Sequence, residues 1–148
     1  MINKKGLAAA ILLLGLVTCQ IPTSGFPLED KVTELLNQTR VGNAFDMYSG
    51  YLNITHTKKS LHYVAVMSEH EPINDPIIIW FNGGSGCSSL LGYTLEHGPY
   101  IVNEGSNEMT ENPNSWNKNF TVFYIESPAG VGFSLCGDDK ECLYNDTN

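Results

Sequence analysis

Positive charge is scarce in this chain. Its 148 residues carry 8 Lys and Arg against 16 Asp and Glu. A nucleic-acid partner requires a basic patch to neutralise phosphates, and no such patch is present. Cysteine is also sparse, with 4 in all and no His/Cys spacing of a zinc site. No G-x-x-x-x-G-K-[ST] occurs, which removes the common nucleoside-triphosphate loop. No internal repeat is visible, and no apolar run reaches the roughly 20 residues of a membrane-spanning helix. The length leaves room for one domain at most.

What the chain does have begins with a leader. Lys4 and Lys5 precede an apolar stretch over residues 7–17, followed by small residues around Cys19 and Gly25. This is the layout of a secretory signal peptide, assigned to residues 1–25, with an uncleaved anchor as the alternative. Two of the 8 basic residues lie in the leader and all 16 acidic ones follow it, so the mature chain has a net charge of −10 with His neutral. Lumenal exposure predicts glycan acceptors, and Asn37, Asn53, Asn119 and Asn145 each open an N-x-Thr sequon. An oxidising lumen also lets Cys136 and Cys142 pair across a short acidic loop, which leaves Cys87 without a partner once Cys19 is removed. Asp138, Asp139 and Glu141 in that loop lack a calcium-loop pattern and read as solvated; no metal or cofactor is expected.

Residues 26–148 read as the opening portion of an α/β protein. The spacing of Leu28, Val32, Leu35 and Leu36 predicts a helix. Residues 48–54 and 61–67 predict two antiparallel lead-in strands, joined by a turn at 56–60. Asn74-Asp75-Pro76 breaks the chain before residues 77–81, an unbroken apolar run that suits a central strand buried on both faces. A helix is expected from about Ser88 to Leu95, stopping near Gly98-Pro99. Residues 104–118 predict a polar loop, and residues 120–125 a second central strand, running into a second glycine-rich loop over 126–134. The expected architecture is a mixed α/β sheet whose later elements are not among these residues, so the chain is read as an N-terminal fragment.

The most informative stretch is Trp80-Phe81-Asn82-Gly83-Gly84-Ser85-Gly86-Cys87-Ser88-Ser89. A strand runs into three glycines within four residues and then into a helix start. Such a junction points backbone N–H groups at a negative charge. One reading is a dinucleotide loop, since Gly84-Ser85-Gly86-Cys87-Ser88-Ser89 nearly matches G-x-G-x-x-G/A and Glu104 lies about twenty residues on. Against it stand Ser89 in the third small position and the breaker Gly98-Pro99. The other reading is an oxyanion hole, because α/β-hydrolases place one backbone donor on a glycine loop after an early strand.

The same residues resemble the W-x-N-G-G-P-G-C-S-S signature of the serine carboxypeptidase family. Three further stretches match that family in order: Tyr48-Ser49-Gly50-Tyr51-Leu52, Glu96-His97-Gly98-Pro99-Tyr100 and Asn112-Pro113-Asn114-Ser115-Trp116-Asn117. The strand and loop from Tyr124 to Ser134 match as well. The resemblance implies the N-terminal portion of an α/β-hydrolase fold and hydrolysis of C-terminal peptide bonds through an acyl-enzyme. It implies that the Gly84 N–H is an oxyanion donor, that Asn82, Gly83 and Glu96 bind the substrate's terminal carboxylate, and that Cys87 forms a disulfide to a residue beyond this chain. A Glu can hydrogen-bond a carboxylate only by sharing a proton, so an acidic optimum is expected. The implied setting is the secretory pathway, lysosomal, vacuolar or extracellular, free of the membrane after signal cleavage. Peptide or protein C-termini would be the substrates, and the full-length protein a homodimer.

Ser85 stands where the signature has proline, and proline would stiffen the loop. No serine sits in a G-x-S-x-G elbow; Ser134 comes nearest and is read as structural. His56, His62, His70 and His97 do not fit a triad, so the fragment alone is expected to be inactive. A non-catalytic homologue acting by binding is the alternative, and a nucleotide module the second.

Overall fold

The computed structural model describes residues 25–35, 44–84, 86–103, 105, 108–138 and 142. The leader, the sequons at Asn37 and Asn145, and Ser85 lie outside the described residues. Six strands form two sheets: β1 (Met47–Asn53), β2 (Ser60–Val66), β3 (Ile77–Trp80), β4 (Tyr100–Val102), β5 (Met109–Glu111) and β6 (Thr121–Ile125). The main sheet runs β1-β2-β6-β3. β1 and β2 form an antiparallel hairpin, β2 pairs antiparallel with β6, and β6 pairs parallel with β3. The mixed sheet and its antiparallel lead-in agree with the sequence reading.

One face of the sheet holds the core. Met47, Val64, Val66, Tyr93, Val122 and Tyr124 are buried there, with Ile78, Trp80, Leu90, Val32 and Leu35 packed around them. Val66 and Val122 are 1% and 0% exposed; each such side chain contributes about 1.5–3 kcal/mol by leaving water. On the other face Phe26 stacks on Tyr48 with ring centroids 4.4 Å apart and lies 5.6 Å from Phe123. The Tyr63 hydroxyl donates to Asp30 at 2.7 Å. The Asp30 carboxylate sits directly over Gly50, where a Cβ would collide with it. Burial, then the Asp30 contact, pushes the Tyr63 phenol up from its ordinary range.

Three expectations are corrected. The segment expected to be helical is a single 3-10 turn, Leu28–Asp30, after which Lys31 bridges to Tyr48 on the open edge of β1. Leu28 is 84% exposed, so the spacing there does not mark a buried face. The run 77–81 is not a central strand among the described residues. β3 lies at the sheet edge, with Ile77 and Ile79 55% and 58% exposed, because no described element covers that face. The expected polar loop 104–118 holds the strand β5, paired with β4, and a 3-10 turn Trp116–Lys118. β6 is central, as its apolar run requires.

Candidate functional site

β3 and β6 run parallel with Trp80 opposite Tyr124, so both strands end at the same edge of the sheet. Both then enter a glycine loop. In open α/β sheets this carboxyl edge is where ligands bind. In the first loop Gly84 and Gly86 adopt φ of +83° and +80°, a left-handed backbone that side chains resist. Gly83 and Gly84 are exposed. The Cys87 N–H donates to the Gly84 carbonyl at 3.3 Å and closes the turn. A Cβ on Gly84 would meet the Cys87 sulfur at 3.1 Å, so the free, half-buried thiol packs under this glycine.

Ser89 closes the loop. It is 1% exposed, accepts the Asn82 N–H at 3.0 Å and donates to the Ile125 carbonyl at 2.6 Å. The end of β3, the loop and the end of β6 are thereby tied through one hydroxyl. The Asn82 side chain donates to the Gly83 carbonyl at 3.2 Å.

The helix after the loop begins as an α turn and continues as the π-helical turn Gly92–Glu96. Trp80 and His97 press against Gly92, where a Cβ would lie 2.6 Å from Trp80 Nε1 and 3.1 Å from His97 Nε2. Such π turns are frequent at functional sites. The Glu96 side chain ends this turn and is exposed, while its carbonyl accepts from Asn112 Nδ2 at 3.2 Å. The same Asn112 amide donates to the Gly98 carbonyl at 2.9 Å. His97 is sandwiched: Trp116 stacks on it at 3.9 Å, Tyr124 lies at 5.5 Å, and His97 Nδ1 is 3.1 Å from the Tyr124 hydroxyl. Burial holds its imidazole below the ordinary pKa, with neighbouring Glu96 opposing. The Trp80–His97 ring contact, 4.5 Å between centroids, joins the strand end that carries Asn82 to the helix end that carries Glu96. Asn82, Gly83 and Gly84 therefore follow one strand end at this edge of the sheet, and the helix end that carries Glu96 packs against Trp80, the last residue of that strand, through His97.

Sequence reasoning passed over Glu126 and the structural use of His62. Glu126 is 0% exposed. His62 Nδ1 lies 3.1 Å from Glu126 Oε2, and His62 Nε2 lies 2.9 Å from Ser49 Oγ. A carboxylate only accepts, so the His62 Nδ1–H donates to Glu126. The order resembles a nucleophile relay, but Ser49 lies mid-strand in β1 and a strand presents no cluster of N–H donors for an oxyanion. The signal that could have flagged Glu126 is its place: an acid directly after a central strand, followed by glycines. At the far end of the second loop Cys136 and Cys142 are joined, with Cα atoms 5.4 Å apart. Asn53 and Asn119, the two sequon residues within the described part, are exposed.

Known proteins resemble this chain along most of its length. The family model described as serine carboxypeptidase matches residues 37–148. The chain is 42% identical over 137 residues to lysosomal protective protein of Mus musculus, covering 93% of this chain and 28% of that protein. It is 42% identical over 126 residues to serine carboxypeptidase ctsa-4.1 of Caenorhabditis elegans, covering 80% and 26%. Among solved structures, Kex1(delta)p, a prohormone-processing carboxypeptidase from Saccharomyces cerevisiae, aligns with a TM-score of 0.54 at 26% identity, over 69% of this chain and 23% of that one. The chain thus spans about a quarter of the length of the relatives it matches. No helix among the described residues is long and apolar enough to cross a membrane. With a family match over most of its length and the mixed sheet and glycine loops described above, the chain belongs to the serine carboxypeptidase family.

Proposed function

We propose that this chain supplies the carboxylate clamp and half of the oxyanion hole of a serine-type carboxypeptidase. The Gly84 N–H stabilises the tetrahedral oxyanion of acyl transfer. Asn82, the Gly83 N–H and Glu96 hold the C-terminal carboxylate of a peptide. The observation that carries this reading is the Ser89 bridge, which ties the Asn82 N–H to the Ile125 carbonyl at the carboxyl edge, two residues before the left-handed Gly84. A preorganised N–H donor of this kind is worth about 10²–10³ in rate.

The Glu96 contact needs one proton shared between two carboxyl groups, so binding weakens as pH rises and like charges face each other. In the whole protein, the Michaelis constant for a blocked dipeptide rises from mildly acidic to neutral pH. Glu96→Gln, which keeps a donor without the charge, flattens that rise. A Michaelis constant unchanged between the two pH values sinks the shared-proton reading. The 148 residues taken alone contain no G-x-S-x-G elbow, so on this reading they turn over no dipeptide, and release of product above a buffer control refutes it. Residues 1–25 act as a signal peptide, and the exposed Asn53 and Asn119 carry glycans in the lumen. A mass shift on glycosidase treatment of the secreted protein tests this assignment.

A further inference from the structure

The second glycine loop, residues 126–134, has so far no part in the proposed chemistry, yet it is built around one side chain. Glu126 is completely buried. Its Oε2 accepts the Phe133 N–H at 2.7 Å and faces His62 Nδ1 at 3.1 Å. The loop wraps so closely that Gly132, at φ +53°, has no room for a Cβ beside the carboxylate. Ser134 locks the wrap by donating to the Glu126 carbonyl at 2.7 Å and accepting the His62 N–H at 2.8 Å. The remaining oxygen, Oε1, accepts from Ser88 Oγ, the residue directly before Ser89 in the first loop. Ser88 Oγ also accepts the Leu90 N–H at 3.2 Å.

We infer that Glu126 is a positioning residue for the first glycine loop, acting through Ser88, and that the second glycine loop exists to hold its carboxylate. The geometric argument is simple. Ser89 ties the loop to Asn82 and Ile125, but both bonds meet at one hydroxyl, and a tie at one point fixes position while leaving rotation free. Ser88, tied to Glu126, adds the second point on the neighbouring residue, and two ties fix orientation. An N–H donor acts only when it is aimed at the place where charge develops. A buried carboxylate is costly unless its oxygens are satisfied, and Ser88, Phe133 and His62 between them occupy both. Losing the Ser88 contact leaves Oε1 unpaired at a cost of about 1–3 kcal/mol, while His62 and Phe133 still hold Oε2 and the strand pairings of the sheet are untouched. The inference rests on the proposed role of Gly84 for its catalytic consequence, but not for its structural one.

The test uses Ser88→Ala, with Ser88→Thr as the variant that keeps the hydroxyl and Glu126→Gln as the partner change. Amide ¹⁵N relaxation of Gly83 and Gly84 in the full chain is the first readout. The order parameters fall from about 0.85 to below about 0.6 in Ser88→Ala, stay near the parent value in Ser88→Thr, and do not change in β2. In the whole protein, dipeptide kcat falls roughly tenfold or more in Ser88→Ala and recovers in Ser88→Thr, a part of the 10²–10³ that a lost donor costs, and KM rises as the Gly83 N–H of the carboxylate clamp loosens with it. Unchanged order parameters at Gly83 and Gly84, or equal loosening of β2, overturn the inference. So does an unchanged kcat in a protein that is active. If the parent whole protein hydrolyses no peptide, the proposed function fails, while the order parameters still decide the brace. If Glu126→Gln does not fold, the two Ser88 variants carry the decision.

Discussion

The Ser89 hydroxyl is the joint on which the site's geometry turns, and its removal has a magnitude that can be worked out. Ser89→Ala deletes one oxygen from a side chain that is 1% exposed. Two groups lose a partner: the Ile125 carbonyl, 2.6 Å away, and the Asn82 N–H, 3.0 Å away. A buried polar group left unpaired costs about 1–3 kcal/mol. The lower end applies to both, since Asn82 is half-buried and within reach of water, and a carbonyl has a second lone pair. The expected loss is therefore about 2 kcal/mol. Little cavity opens, because alanine keeps the Cβ. For a chain of this size that corresponds to roughly 6 °C in melting temperature. Urea unfolding followed by far-UV circular dichroism measures it, with the slope unchanged because the exposed surface is the same. A loss under about 0.5 kcal/mol, the range of inconsequential surface changes, would show that the bridge does not hold the two strand ends.

Other expectations follow from the glycines and from His97. Gly86→Ala meets open space but a φ of +80°, so it costs only backbone strain of about 1–2 kcal/mol. Gly132→Ala adds to similar strain a collision with the Glu126 carboxylate and costs at least about 3 kcal/mol; equal losses in urea titrations of the two variants contradict the cradle. Burial lowers the His97 pKa below its ordinary 6.5. The folded state then binds fewer protons than the unfolded one, so this contribution to stability is present above pH 6.5 and is lost as pH falls through the folded value. His97→Phe keeps an aromatic ring between Trp116 and Tyr124 and reduces the fall in urea midpoint from pH 7.5 to 5; an undiminished fall shows that other groups carry it.

Legibility in the sequence followed locality. β2 and β6 were readable because their apolar runs match real burial: residues 62–66 are all buried and β6 lies between two neighbours. The run 77–81 has the composition of a strand covered on both faces, yet β3 is at the edge, since position in a sheet is set by partners and not by the strand's own residues. The spacing of Leu28, Val32 and Leu35 imitated a helix, but this segment passes the edge of β1, with Phe26 on one face of the sheet and Val32 and Leu35 on the other. β4 and β5 are three residues each and too short to show alternation. At the site, the first glycine loop was legible because its function is local backbone geometry. The Glu126 brace was not, because it joins residues 38 and 64 positions apart in sequence.

The two glycine loops answer one physical difficulty. Glycine reaches the left-handed conformations that turn the backbone toward a ligand, but each glycine costs about 0.5–1 kcal/mol more than alanine in lost chain freedom. A loop of Gly83, Gly84 and Gly86 is therefore apt to be loose, and a loose donor is a poor one. The family signature counters this with proline, whose fixed φ stiffens the loop from within. This chain has Ser85 there, so the loop depends more on stiffness supplied from outside, and the Ser88–Glu126 and Ser89–Ile125 contacts are external ties. The two sources should partly substitute for one another. Ser85→Pro then makes Gly84 less sensitive to Ser88→Ala, and a double-mutant cycle on the Gly83 and Gly84 order parameters shows the combined variant looser than Ser85→Pro by less than Ser88→Ala is looser than the parent. Strict additivity would mean that proline and the brace restrain different motions, and that the serine at position 85 is not what the second glycine loop compensates.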